Sequence, residues 1–542
     1  MPGAARALRV AGSLLLSVAL LAACTDSDEP IVGRPTTTAT RSGDVVDGGT
    51  VRLGLDGSLR PDPATANLGS PAEMMVLDLL YDGLTRLDGD GAPAPALALD
   101  WAPDATLTHW TFHLDPKATF TSGRPVTSAD VIASLERVAR RGDSSLAALR
   151  LEAVTGFRAF VDGTTISLAG LSAPDPATFA VALDTPMSVL PVVLASPVFG
   201  MVDTASLNAA TAEGADPAAM GALDLYGSWA IADSSEDAVT LERRPGTPGH
   251  LDAVELRLYS DDEAAYDAFE DGDVDWAMVP VDHYDDAVDD HGDDHFAPFQ
   301  AELFFGMRVS SPNLANADLR KAIAAAIDRD AIVDAVYPDR AVALAGVVPA
   351  GVPGHSSDPC EGCGHDPDRA KALVAGAFPD GNVPTVAIDF DESAAQSDMA
   401  EMVADDLKAV GIPTTLRPKS LDDYKAFVVS GAQELFSFGW IGGYPSPDAY
   451  LAPLFASTAN DNLTGYASPD VDAALAAARA TVDPAAESTQ WTAVEARVLA
   501  DAVVVPVAQF RTQAVVADRV QALGHAVDGS VDWSAVWVAD GA

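Results

Sequence analysis

Several things are scarce in this 542-residue chain, and each scarcity removes a class of function. Only three cysteines occur, at positions 24, 360 and 363, so a disulfide-rich scaffold or a multi-cysteine metal cluster is excluded. Basic residues number 32 against 80 acidic ones, a net charge of −48, which makes nucleic acid and anionic lipid headgroups poor partners. Lysine is rarer still: there are six, none preceded by serine three residues earlier and none in a glycine-rich phosphate loop. The chain therefore has neither a Ser-x-x-Lys nucleophile nor its own ATP-binding loop. No Gly-x-Ser-x-Gly elbow and no His-Glu-x-x-His helix is present. No period of 20–50 residues repeats, which argues against a solenoid or propeller. Long apolar runs are also missing beyond the first two dozen residues. Residues 186–202 carry no charge, but Pro186, Pro191 and Pro197 interrupt them, and they read as loop and buried strand.

What is present begins with an export signal. Arg6 and Arg9 precede an apolar stretch at residues 10–21, long enough for a signal segment and too short to span a bilayer. It ends in Leu21-Ala22-Ala23-Cys24, which resembles a bacterial lipobox with Cys24 as the lipidated residue. Residues 1–23 are thus expected to be a lipoprotein signal peptide, and the anchor to sit on the outer face of the cytoplasmic membrane. Residues 24–48 are rich in Thr, Asp, Ser and Gly and read as a flexible tether. In an exported chain, Cys360 and Cys363 are expected to form a small disulfide-closed loop rather than a redox or metal centre.

With 48 % hydrophobic residues the remaining chain can bury more than one core, and short strands alternating with helices make it α/β with mixed sheets. Residues 50–55 read as a strand. Met75, Leu79 and Leu80 share a helical face, and Trp110, Phe112 and Leu114 alternate as in a half-buried strand. Thr127 and Asp130 open a helix carrying Val131, Leu135 and Val138, and Asp328 caps another at Ala331. Trp491, Val494 and Val498 form a stripe before a strand at residues 503–507. His291 and His295, four apart with His283 nearby, raise a Zn or Ni reading that Gly292 and the surrounding acids weaken, so no metal site is assigned.

In order along the chain stand Leu79-Leu80-Tyr81-Asp82-Gly83-Leu84, Pro95-Ala96-Leu97-Ala98, Trp110-Thr111-Phe112-His113-Leu114, Val126-Thr127-Ser128-Ala129-Asp130-Val131 and Gly272-Asp273-Val274-Asp275. They are followed by Leu319-Arg320-Lys321-Ala322-Ile323, Gly439-Trp440 with Pro447-Asp448, and Gly465-Tyr466. Taken together this series resembles the dipeptide/oligopeptide/nickel class of extracellular solute-binding proteins. The resemblance implies a large periplasmic-binding-protein-like fold of two lobes that close on a ligand by a hinge. It places lobe I at residues 49–300, with an inserted subdomain at roughly 90–200, lobe II at 301–507 and a return to lobe I at 508–542. It implies no catalysis and no cofactor: a monomer that hands a peptide-like or other polar solute to the permease and ATPase subunits of an ABC importer. A metal-chelate binder of the same fold and an exported hydrolase are the alternatives.

By the same resemblance, Asn67, Leu68, Gly69 and Ser70 line the ligand cleft, as do Trp440, Ile441, Gly442, Gly443 and Tyr444. Two departures from the family pattern stand out. An aspartate that pairs with a peptide's ammonium group commonly follows the tryptophan by three residues, and here that position is Gly443. The strand that usually ends in Gly-hydrophobic-Asn reads Gly306-Met307-Arg308. A lost acid and a gained guanidinium suggest a ligand other than a simple free-amino dipeptide, with Arg308 holding a carboxylate or phosphate.

Overall fold

The computed structural model describes residues 45–57, 59, 62–88, 91–142, 145–213 and 224–539. Cys24, the signal segment and most of the tether lie outside the described residues. No helix among the described residues is long and apolar enough to cross a membrane.

Two six-stranded mixed sheets organise two lobes. The first runs in the order Ala514–Val516, Trp276–Met278, Thr50–Asp56, Ala253–Tyr259, Ala238–Arg243, Trp229–Ser234. Its central strand pairs in parallel from Thr50↔Ala253 to Asp56↔Tyr259, and its inward residues Val51, Leu53 and Leu55 are buried. Both ends of the chain build this sheet, and Asp275 ties them: its carboxylate accepts from Arg52 at 2.7 Å and from Arg519 at 2.5 Å. Burial works against that charge, but the two guanidinium groups outweigh it and hold Asp275 below its ordinary range.

The inserted segment carries a four-stranded sheet in the order Ala98–Pro103, His109–Leu114, Thr178–Ala182, Leu171–Asp175. Trp110, Phe112 and Leu114 all face inward, the period-two pattern of a strand with one wet face. The helix Ser128–Ala139 starts where Asp130 accepts from the Thr127 N–H (2.9 Å) and hydroxyl (2.7 Å), and it buries Val131, Leu135 and Val138. Residues 186–202 depart from the loop-and-strand expectation. They form the helical turns Leu190–Val193 and Pro197–Phe199, both packed into the core. Pro191 and Pro197 stand within the first two positions of these turns, where a missing N–H costs nothing, so the same prolines that break a long helix start short ones.

The second sheet runs Ala341–Ala343, Val504–Thr512, Ala297–Met307, Leu435–Ile441, Val386–Asp391, Thr414–Lys419. Around it the helix pair Ala317–Ala326 and Arg329–Val336 buries Leu319, Ile323 and Ile332, with Asp328 accepting from the Ala331 N–H at 3.1 Å. The lobes are joined by the antiparallel ribbon of Ala297–Met307 and Val504–Thr512. At one end Phe296 packs with Val515, and at the other Phe305 packs with Val505 and Val507. Pairing along this ribbon continues to Thr512, and the first sheet takes its returning strand only at Ala514. The chain therefore leaves the second sheet after Thr512. Register shifts between Pro298 and Glu302 and between Leu303 and Phe304 bend the ribbon where it passes between the cores.

Beyond the second sheet, the helices Asp448–Phe455, Pro469–Arg479 and Pro484–Ala500 turn back onto the inserted segment. The Ser188 N–H donates to the Arg479 carbonyl and its hydroxyl to Glu487, both at 3.0 Å. Trp491, Val494 and Val498 share one buried face there.

Candidate functional site

The loop before the helix Pro71–Leu80 is built by its own side chains. Asn67 Oδ1 accepts from the Gly69 N–H (3.0 Å), Ser70 Oγ accepts from the Glu73 N–H (3.2 Å), and Leu68 is buried beneath. A Cβ on Gly69 would lie 3.0 Å from Ile441 Cδ1, so this glycine lets the first lobe touch the end of the strand Leu435–Ile441 in the second. Between this loop and the turn Leu146–Leu149 lies a pocket of about 260 Å³, lined by residues 64–68 together with Arg141, Ser145 and Leu146. That volume suits one side chain or terminal group of a solute rather than a whole drug-sized molecule.

Residues 440–444 reach this loop at Ile441. Trp440 is 8 % exposed and donates its indole N–H to the Ala449 carbonyl at 2.9 Å, so it is part of the core. Gly442 donates to the Gln300 carbonyl (3.2 Å) and Gly443 to Gln300 Oε1 (3.1 Å), which pins the turn to the interlobe ribbon. A Cβ on Gly442 would collide with the Tyr450 phenol. The Tyr444 hydroxyl donates to Asp448 (3.0 Å), whose buried carboxylate also takes Arg479 Nε at 2.6 Å. Burial, joined by the Asp448 charge, pushes the Tyr444 phenol far above its ordinary range, so it stays a neutral donor.

Arg150, which the sequence did not single out, packs against this turn. It follows the helical turn Leu146–Leu149 of the inserted segment and sits against Gly443, whose φ is +83°. A Cβ at Gly443 would lie 2.6 Å from both Nε and Nη2 of Arg150. The guanidinium donates from Nη2 to the Ile441 carbonyl (3.1 Å) and lies 5.9 Å from the Trp440 ring centroid and 5.5 Å from that of Tyr444. Its Nε is buried without a hydrogen-bond partner. Loss of water pulls the Arg150 pKa down, opposed by Tyr444, Tyr450, Asp461 and Asp448.

Arg308 stands elsewhere. Glu302 pairs with Trp440 and Met307 with Leu435, so Arg308 lies beyond the far end of the strand, about 20 Å from Trp440 at 3.3–3.4 Å per residue. Its Nε donates to Ser310 Oγ and its Nη1 to the Leu463 carbonyl, each at 3.0 Å, and the side chain fills the space beside Gly431 and Gly465. In this structure two of the nitrogens of Arg308, expected from sequence to hold an anion in the cleft, join two loops.

Two buried acids near the ribbon also escaped the sequence reading. Glu302, 1 % exposed, has no partner for either carboxylate oxygen, and burial raises its pKa well above the ordinary value. Glu495 accepts from the Val347 and Val348 N–H groups at 2.6 and 2.8 Å, yet burial still lifts it to about 7. Neither acid falls in a local motif, so only the packing reveals them.

The remaining candidates separate cleanly. Cys360 and Cys363 are bonded across a tight turn, Cα–Cα 5.5 Å. Gly292, at φ +75°, ends the helix Tyr284–His291, so His295 does not lie one turn beyond His291 on a helix. His283 and His291 each pair with a glutamate, Glu263 and Glu270, at 2.7 Å. Among the described residues, no group of three or more His, Cys, Asp or Glu side chains is placed to hold a metal ion.

Comparison with known proteins agrees with this architecture. Over 450 residues the chain is 24 % identical to the periplasmic oligopeptide-binding protein OppA of Escherichia coli (strain K12), covering 79 % of this chain and 81 % of that protein. It is 24 % identical over 463 residues to the dipeptide-binding protein DppE of Bacillus subtilis (strain 168), covering 80 % and 81 %. The fold superposes with a TM-score of 0.79 on the unliganded open form of the periplasmic murein tripeptide-binding protein MppA, at 20 % identity over 93 % of this chain and 98 % of that one. Residues 92–462 match the middle region of the bacterial extracellular solute-binding proteins, family 5, and the chain belongs to that family of binding proteins.

Proposed function

We propose that this protein is the solute-capturing component of an ABC-type importer, taking a peptide-like or other polar solute between its lobes and presenting it to membrane permeases driven by separate ATPase subunits. Cys24 carries the lipid anchor, and the Thr/Asp/Ser/Gly-rich tether frees the body from the membrane surface. Lobe I comprises residues 49–300, with the insertion at about 90–200, and the tail after about residue 512. Lobe II lies between them, and the ribbon of residues 297–302 and 509–513 is the hinge.

The observation that carries this reading is one seam. Gly69 from the first lobe, Arg150 from the insertion and Ile441–Tyr444 from the second lobe meet where the ribbon crosses. A wall assembled from both lobes is completed only when they approach, which couples occupancy to closure. The names of the relatives, oligopeptide- and dipeptide-binding, support a peptide as the solute.

Small-angle scattering of the protein before and after addition of a di- to tetrapeptide mixture tests the reading. A smaller radius of gyration with peptide is expected; identical profiles at saturating concentration would remove hinge closure from the account.

A further inference from the structure

We infer that Arg150 is the receptor for a carboxylate on the captured solute, and that Gly443 is glycine because the guanidinium occupies the room a side chain would need. The inference rests on the solute-binding reading above and adds the chemical class recognised at that seam.

A guanidinium has five N–H donors in a planar fork. Among the described residues, Arg150 uses one nitrogen, Nη2, on one carbonyl, and makes no ion pair. Its Nε is sealed from solvent with nothing to donate to. A cation partly stripped of water and left without an anion is costly, and proteins ordinarily place an anion against it. The neighbouring acids do not do so. Asp448 is already taken by Arg479 at 2.6 Å and by the Tyr444 hydroxyl, while Glu152 turns to Arg158 at 3.6 Å. Asp461 is near enough to attract Arg150 but makes no ion pair with it.

Contrast with Arg320 sharpens the point. That buried guanidinium spreads its donors over the carbonyls of Leu314, Ala315, Asp501 and Ala502. Arg150 is instead held by aromatic faces and a backbone without a Cβ, contacts that fix its plane while leaving donors unspent. A fixed planar fork matches a carboxylate in bidentate fashion. The protein's large negative charge does not contradict this, because the surface field acts at long range and is screened within about 10 Å, whereas the seam acts at contact.

The test uses the full chain and three pools of tripeptides titrated by calorimetry. The first pool contains uncharged residues with free C-termini, the second is the same pool C-terminally amidated, and the third is amidated but carries one glutamate. Wild-type protein should bind the first or third at least tenfold more tightly than the second. Arg150→Gln should erase that difference, and Arg150→Lys should restore part of it. Gly443→Ala, which places a methyl group where the guanidinium lies while keeping the charge, should shrink it as well; melting curves establish that each variant is folded. Equal wild-type affinity for the amidated and acid pools, or a preference that survives Arg150→Gln in folded protein, would overturn the inference while leaving the importer reading intact. Binding of none of the three pools would overturn the peptide reading and this inference together.

Discussion

Two ends of one strand pair invite comparison, because each presents an arginine to a glycine-bearing loop. At the far end Arg308 lies against Gly431 and Gly465 and donates to Ser310 and the Leu463 carbonyl. At the near end Arg150 lies against Gly443 and donates to one carbonyl, with its Nε left over. The first joins two loops through two of its nitrogens. The second uses one nitrogen and leaves its buried Nε without a partner. An arginine beside glycines therefore says little by itself, and the two differ in whether a buried donor is left without a partner.

The comparison can be broken most forcefully from beneath the near end. Asp448→Ala would strip the buried partner from Arg479 and the acceptor from Tyr444, and is expected to destabilise the fold by about 3–5 kcal/mol, read by urea unfolding. A loss below about 1 kcal/mol would show that the wall is not rigidly supported.

A second, smaller effect lies between the two ends. Glu495 titrates in the fold near 7 against an ordinary value of 4.5, mainly because it is buried. Its folded-state pKa is raised, so the neutral form suits the fold. Stability from this group is full below about pH 4.5 and falls as pH climbs through 7, by up to about 3 kcal/mol. Glu495→Gln should flatten that part of the stability profile relative to wild type, with the variant gaining most at pH 8. Superimposable profiles from pH 4.5 to 8 would refute the assignment.

The smallest effect belongs to the far end. Arg308→Ala should cost about 1–2 kcal/mol in thermal stability through its two lost hydrogen bonds, and leave the affinity for carboxylate-bearing peptides within twofold of wild type. A large loss of affinity there would return Arg308 to the cleft and undo the contrast.

Much of the fold was legible in the sequence because it is written in short-range chemistry. Alternation at Trp110, Phe112 and Leu114, the acid of Thr127-Ser128-Ala129-Asp130, and the stripe of Trp491, Val494 and Val498 each specify an element through its nearest neighbours. Where local rules point two ways they misled: prolines in residues 186–202 argued against helix but in fact begin helical turns. The segments Asn67–Ser70 and Trp440–Tyr444, far apart in sequence, approach each other at Gly69 and Ile441.

By itself the sequence determined an acidic, two-lobed α/β binding protein and a glycine at position 443. Tertiary structure alone decided which guanidinium lies against that glycine. Arg150 and Ile441 are 291 residues apart, and no periodicity, cap or motif reaches across that distance. The same holds for the unpartnered carboxylates of Glu302 and the shared Asp448, since hydrogen-bond partners are set by how distant segments pack and not by the residues on either side.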